Sequence, residues 1–315
     1  MWKDCATCFG YTAATTLRQR SRSLSKAMSI FFYAFHPCCW GNIHWIGLDT
    51  LSERSLLVIG HPGHEFAVHG WIAQQQPVVC ILTDGSGTVG RSRIAHSKAA
   101  LEELHAQLGP IWGDSSDGEF YQRILNCDHA FFAATRDRLA NIIVTQDIGI
   151  VVSDAIEGYA PTHDLCEVIA RAAIMQATAR GAASINHYVI PLVGNPSRAP
   201  LSGRPAVMEI ELTPQQITRK RSAIAKYAEQ AGPQLASEIQ NAYDSYGIAT
   251  FDREYFFDAA TCGWPVWRER FHSQIPRYES LGKAHVASGR MQVAITYSDH
   301  VAPISERLLG APCVS

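Results

Sequence analysis

The chain lacks an apolar run near the roughly 20 residues that a bilayer-crossing helix needs, so no membrane span is expected. It also lacks an excess of one charge. The 27 Lys and Arg stand against 29 Asp and Glu, a net charge of −2, and no broad basic field argues for nucleic acid or an anionic membrane. A regular cysteine pattern is missing as well. Nine cysteines are scattered, an odd number that cannot pair fully, with one CxxC at Cys5 and Cys8 and an adjacent pair at Cys38 and Cys39. A zinc ribbon needs a second such pair, and none follows. The expectation is a reduced, cytoplasmic protein whose thiols are small core residues. The glycine-rich "DGSGTVG" at 84–90 has no Gly-Lys-Ser/Thr behind it, which argues against a phosphate loop. Repeats and low-complexity runs are absent.

What the chain does have is bulk and punctuation. With 315 residues, 47% of them hydrophobic, it can bury a sizeable core. Residues 1–50 read as an N-terminal extension. "TLRQRSRSLSKAMSIFFYAF" is basic and Ser-rich, then briefly apolar, which suits an organelle-targeting segment or an untranslated stretch before Met28. Residues 51–315 read as a single domain, with a core at 54–200 and a C-terminal continuation at 201–315.

In that core, "SLLVIG", "PVVCILTDG", "GIVVSDA" and "NHYVIPLVG" are apolar runs of strand length, as in strands covered on both faces. Helical patterns lie between them. "SKAALEELHAQLG" spaces Ala99, Leu101, Leu104 and Leu108 and closes on Gly109, and "DLCEVIARAAIMQATARG" closes on Gly181. Alternation of this kind predicts an α/β fold, Rossmann-like and doubly wound, with a mainly parallel sheet and a C-terminal helical and strand extension. In that extension Thr213 and Pro214 open a helix. "SEIQNAYDSYG" is another, and "GRMQVAITYSDHVAPISERLL" predicts an alternating strand before a terminal helix or turn.

Ligands of such sheets sit beyond the carboxyl ends of the strands, and polar residues recur there. His61 ends the first strand and His64 follows it, Asp84 ends the second, and Asp154 ends the third, ahead of "EGYAPTHD". Neutral imidazoles at short spacing are zinc ligands, and a third from a distant loop leaves an open position for water. His163 is the obvious third. Bland readings stand beside these. The two early histidines can be solvated in a helix turn, His163 can neighbour an N-cap, and Asp84 can cap the turn at Gly85. His69 and His96 read as packing or surface residues. Trp71, Trp264 and Trp267 read as core, with sugar stacking the alternative.

The run "VIGHPGHE", then "LTDG", then "VVSDAIEGYAPTHD" before a helix resembles the PIG-L/LmbE family of zinc-dependent N-deacetylases. The resemblance is good over roughly residues 54–185 and looser through "RKRSAIAKYAEQ" and "FDREYFF". It implies a Rossmann-like fold and removal of an acetyl group from an amino sugar, a glycoconjugate or a related small-molecule amide. By position it implies His61, His64 and His163 as metal ligands, with His64 where the family has an aspartate. It implies Tyr159 as an oxyanion partner, and Arg91 or Arg93 near the region where family members contact substrate. The chain departs from the family at Gly63, which replaces the aspartate base, at Ala160, which replaces a histidine, and at Thr162. If hydrolysis persists, another carboxylate must serve. Glu65 and Asp154 are the first candidates, ahead of Asp84, Glu157 and Asp164. Asp154 is equally suited to orienting a ligating imidazole. The alternative is a repurposed relative that binds a sugar without cleaving it.

Overall fold

In a computed structural model, the described residues are 43–44, 53–87, 90–198 and 204–310. Strands β1 (Ile43–His44), β2 (Arg54–Ile59), β3 (Val78–Thr83), β4 (Gln107–Ser115), β5 (Ile148–Asp154), β6 (Asn186–Ile190), β7 (Met208–Glu211) and β8 (Arg253–Asp258) form one sheet. Its order is β1-β7-β8-β6-β5-β2-β3-β4. The five strands from β6 to β4 pair in parallel, and β8 reverses the direction against β6. This is the mainly parallel α/β sheet that the apolar runs predict. Most of the expected extension at 1–50 lies outside the described residues. Ile43–His44, at its end, pairs with β7, and Trp40–Ser315 forms one unit.

Strand alternation explains the layers. Leu56 and Val58 of β2 point to one face, and Leu57 and Ile59 to the other. On the first face they join α4 (His129–Thr145), α5 (Pro161–Ala179), α9 (Trp264–Phe271) and α11 (Ala302–Leu309) through residues such as Leu139, Val168, Trp267 and Ile304. On the second they meet α1 (His69–Gln75) and α2 (Ile94–Glu103) through Trp71, Ile72 and Leu101. Trp71, Trp264 and Trp267 are all buried in these layers, where the default for tryptophan puts them.

Two sequence expectations fail locally. The helix expected to close on Gly109 stops at Glu103, where His105 takes a positive φ of 58°. Leu101 and Leu104 are buried as its pattern requires, but Leu108 is already on edge strand β4. Gly109 serves packing instead, since a Cβ there would lie 2.9 Å from the carbonyl oxygen of Val79. The alternating strand expected after Arg290 is not formed either. Met291 and Val293 are exposed, and the chain enters a π-helical turn at Tyr297–Val301 before α11. Alternation makes a strand only where a sheet edge accepts it.

The helix expected from Thr213 is present as α6 (Pro214–Ala231), with a full capping box between Thr213 and Gln216. Helix α7 (Pro233–Tyr246) ends before Gly247 as expected.

Candidate functional site

Three imidazoles meet at the carboxyl ends of β2 and β5. The ring centres of His61 and His64 are 5.3 Å apart, those of His61 and His163 5.4 Å, and those of His64 and His163 4.7 Å. Close backbone approach makes this possible. Gly60 donates its amide to Asp154 Oδ2 at 2.8 Å, and a Cβ on Gly60 would stand 3.0 Å from that oxygen. The chain then turns through Pro62 and Gly63, whose φ of 108° suits glycine, into a 3-10 turn at His64–Val68. From the other side Pro161 opens α5 at its first turn and places His163 on it.

The hydrogen bonds fix two tautomers. Thr83 donates its hydroxyl to the carbonyl of Gly60 at 2.9 Å, so its oxygen can only accept from His61 Nδ1, 2.7 Å away. Asp117 Oδ1 lies 3.0 Å from the same nitrogen. Burial alone would raise the Asp117 carboxyl, but hydrogen bonding and charge from His61, with the amide of Gly87, hold it well below the usual range. His61 Nδ1 is therefore a donating nitrogen, which leaves Nε2 as the ring's other nitrogen for a metal. His64 Nδ1 likewise donates to Asp154 Oδ2 at 2.8 Å. Burial lowers the pKa of His64 against the opposing pull of Asp154. Burial, then the other two rings, lower that of His163 further. His163 Nδ1 is buried without a partner.

Three converging imidazoles, two anchored behind by carboxylates and a third with an orphaned nitrogen, have the donor chemistry that zinc takes. Among the described residues, however, no three side chains already stand in a metal-binding arrangement. The donor set fits the metal in chemistry and convergence, and is not preassembled around it.

The carboxylates divide sharply. Asp154 stands behind His64, and its Oδ1 is buried and unpaired. Glu65 is fully buried and both its oxygens are engaged, one by the amide of Gly63 at 2.7 Å and the other by a short hydrogen bond from Ser97. Asp164 accepts the amides of Glu157 and Gly158, and burial, only partly offset by those bonds, raises its carboxyl to about 7. Glu157 accepts the amides of Leu192 and Val193. Asp84 accepts from Ser86 N at 2.9 Å, a turn-stabilising bond.

Tyr159 lies at the rim, its ring 6.4 Å from that of His163. Arg93 donates to the carbonyl of Gly85 at 2.6 Å, and Arg91 is exposed. His69 is buried against Phe66, and His96 faces Tyr227. Gly63 is closed in by packing: a Cβ there would meet the ring and hydroxyl of Tyr227 at 3.1 Å.

Asp117 is the residue that pattern reading missed. Its signal was "SSDGE", in which Ser116 and Glu119 form a capping box that opens α3 (Asp117–Leu125). That cap sets Asp117 at the helix start, opposite the end of β3.

No family model matches the chain, and no curated protein matches its sequence. Solved structures similar to it include the A40926 pseudoaglycone deacetylase Dbv21, 18% identical with a TM-score of 0.44, over 65% of this chain and 96% of that one. The conserved protein TT1542 from Thermus thermophilus is 17% identical, TM-score 0.42, over 65% and 94%. The N,N'-diacetylchitobiose deacetylase from Pyrococcus horikoshii is 14% identical, TM-score 0.40, over 67% and 86%. The structural neighbours of this α/β chain thus include deacetylases.

Proposed function

We propose that the protein is a metal-dependent amide hydrolase that removes an acetyl or similar acyl group from an amino sugar or related amide. The observation that carries the reading is the convergence of His61, His64 and His163 with Nδ1 of the first two tied back to Asp117 and Asp154. These three residues would hold zinc. Zinc there would polarise the acyl oxygen and bring the pKa of a water towards about 7. Asp117 and Asp154 keep two rings in the tautomer that offers Nε2. Tyr159, whose ring lies 6.4 Å from that of His163, would donate its hydroxyl to the oxygen that gains charge. Asp84, Arg91 and Arg93 would serve the substrate from the loop after β3.

A specific observation favours a second reading, a relative that binds a sugar without cleaving it. Gly63 offers no base, Tyr227 fills the space beside it, and both oxygens of Glu65 are taken.

Metal analysis of purified protein, paired with acetate release from N-acetylglucosamine, separates the two. His61→Ala and His163→Ala should each abolish zinc retention and any hydrolysis while the fold persists. Unchanged zinc content in both variants would remove the proposed cage. Zinc retained by the parent with no hydrolysis of any acetylated amino sugar would favour the binding reading.

A further inference from the structure

A recess of about 280 Å³ opens between the loop after β5 and the helices α9 and α10 (Arg277–Ala287). Glu157 and Gly158 form one wall, Trp267, Arg270 and Phe271 of α9 another, and Arg277 closes the rim. The three imidazoles do not line it. A larger recess of about 410 Å³ is lined by His129, Arg136 and Arg307 among others, and shares no residue with the candidate site.

The smaller recess adjoins that site through Tyr159. The Tyr159 ring has His163 at 6.4 Å and the guanidinium of Arg277 at 5.1 Å. Gly158, in the recess wall, directly precedes it and accepts the amide of Arg277 at 2.6 Å. Side-chain-free backbone is needed at that wall, since Gly158 has a φ of 64° and a Cβ would stand 3.1 Å from the Phe271 ring.

The lining has a clear chemical bias. Arg270 and Arg277 bring two permanent positive charges. Their one acidic neighbour in the wall, Glu157, spends both oxygens on the amides of Leu192 and Val193. Trp267 is 6% exposed, and its indole Nε1 is a buried donor with no acceptor. Arg270 donates through Nε to Gln274 Oε1, which also lines the recess, and both guanidiniums keep their positive charge. An anion answers the two guanidinium charges, while the Trp267 ring lends Arg270 an aromatic face. A volume just below the usual range for small-molecule sites suits one substituent or one ring rather than a whole glycoconjugate.

We propose that this recess is an anion subsite, in which Arg270 and Arg277 hold a carboxylate or phosphate carried by an acylated amino sugar whose amide faces the imidazoles across Tyr159. The proposal rests on the hydrolase reading for its substrate, but the subsite is tested by binding alone.

The test is calorimetric titration of the full chain with glucuronate, glucose 6-phosphate and neutral glucose. At least one of the two anions should bind about 10-fold or more tightly than glucose. Whichever of the carboxylate and the phosphate binds better identifies the source of charge. Arg277→Gln and Arg270→Gln should each weaken that anion by about 10–100-fold, the range for hydrogen bonds to a charged group. Arg277→Lys should recover part of the loss, and glucose should bind all proteins alike. Melting temperatures without ligand confirm that the variants are folded. Equal binding of anions and glucose, or anion binding unchanged in both Gln variants, would overturn the subsite. An anion held by both arginines in a protein that hydrolyses no acetylated amino sugar would keep the subsite and sink the hydrolase reading. Hydrolysis without any preference for acidic substrates would do the reverse.

Discussion

The two walls around Tyr159 are built differently. The imidazole wall comes from strand ends and the first turn of α5. It is largely buried, and its rings are held from behind by Asp117 and Asp154. The recess wall comes from helices α9 and α10 of the C-terminal continuation. It is open, and its arginines lie over the rings of Trp267 and Tyr159. A wall tied by charge-assisted hydrogen bonds fixes ring direction, which metal chemistry needs. A wall of arginines on aromatic surfaces fixes charge and leaves reach, which suits a variable substituent.

The largest effect should come from separating the regions that carry the two walls. Lys220 of α6 and Glu254 of β8 form a buried ion pair at 2.8 Å, and Glu254 also accepts the amides of Gly70 and Trp71 at the start of α1. The pair ties the C-terminal continuation to the helix that follows the histidine turn. Removing one partner strands the other charge in the interior. Glu254→Ala should therefore cost about 3–5 kcal/mol of stability, read by denaturant unfolding. A loss below about 1 kcal/mol would show that the two regions do not depend on this tie.

Next come the anchors of the imidazole wall. Asp117→Asn and Asp154→Asn should each weaken zinc binding about 10–100-fold, measured by competition with a chelator. Neither should alter anion binding in the recess. If both activities fall together, the walls are one cooperative unit and the contrast between them fails.

How much of each wall could be read from the sequence follows from its construction. The apolar runs at 55–60, 77–85 and 149–155 locate strand ends, and strand ends locate His61, Asp84 and Asp154 whatever the helices do. Asp117 sits one residue after a helix cap, a local signal that was present but that nothing linked to His61. The two meet only because β3 and β4 lie side by side. The start of β4, residues 107–109, hid within a helical pattern because Leu101 and Leu104 satisfy that pattern before the chain turns at His105. The recess was least legible of all. Residues 264–277 contain no periodic run that announces a cavity, and Arg277 reaches Tyr159 only through tertiary packing.

A smaller effect tests Glu65, proposed as a base from sequence but engaged on both oxygens in the fold. Glu65→Gln keeps one acceptor and sets an amide NH2 against a donor, either the Gly63 amide or the Ser97 hydroxyl. The expected result is a stability loss of about 1–3 kcal/mol with a rate change well short of the about 10²–10⁴-fold that loss of a general base produces. Unfolding and turnover measured on the same sample decide it. A full rate loss at unchanged stability would restore Glu65 as the base. Gly63→Asp sharpens the point. Its φ of 108° and the Tyr227 hydroxyl at 3.1 Å oppose any side chain, at a cost of about 1–3 kcal/mol. Rescue of hydrolysis should therefore require a smaller residue at 227 as well.

The smallest effect separates the site histidines from one that only supports the sheet. His187 on β6 contacts Ser153 of β5, its Nε2 2.9 Å from the hydroxyl oxygen. Ser153 donates its own proton to the carbonyl of Asp154, so Nε2 of His187 is the donor. Burial, aided by the charge of Arg171, lowers its pKa to about 3. The unfolded chain protonates this ring near pH 6.5, and the folded chain does not until about 3. Stability should therefore fall as pH drops through that window and stop falling below it. One such group gives a slope of at most about 1.4 kcal/mol per pH unit. The residue keeps some solvent contact, so screening should keep the observed slope below that limit. His187→Gln keeps a donor for Ser153 and removes the titration. Urea unfolding of parent and variant from pH 7 to pH 4 should show a shallower acid-side decline in the variant, with zinc content unchanged at pH 7. Identical slopes would mean that the acid lability belongs to other groups, foremost His64 and His163, whose pKa values burial also lowers.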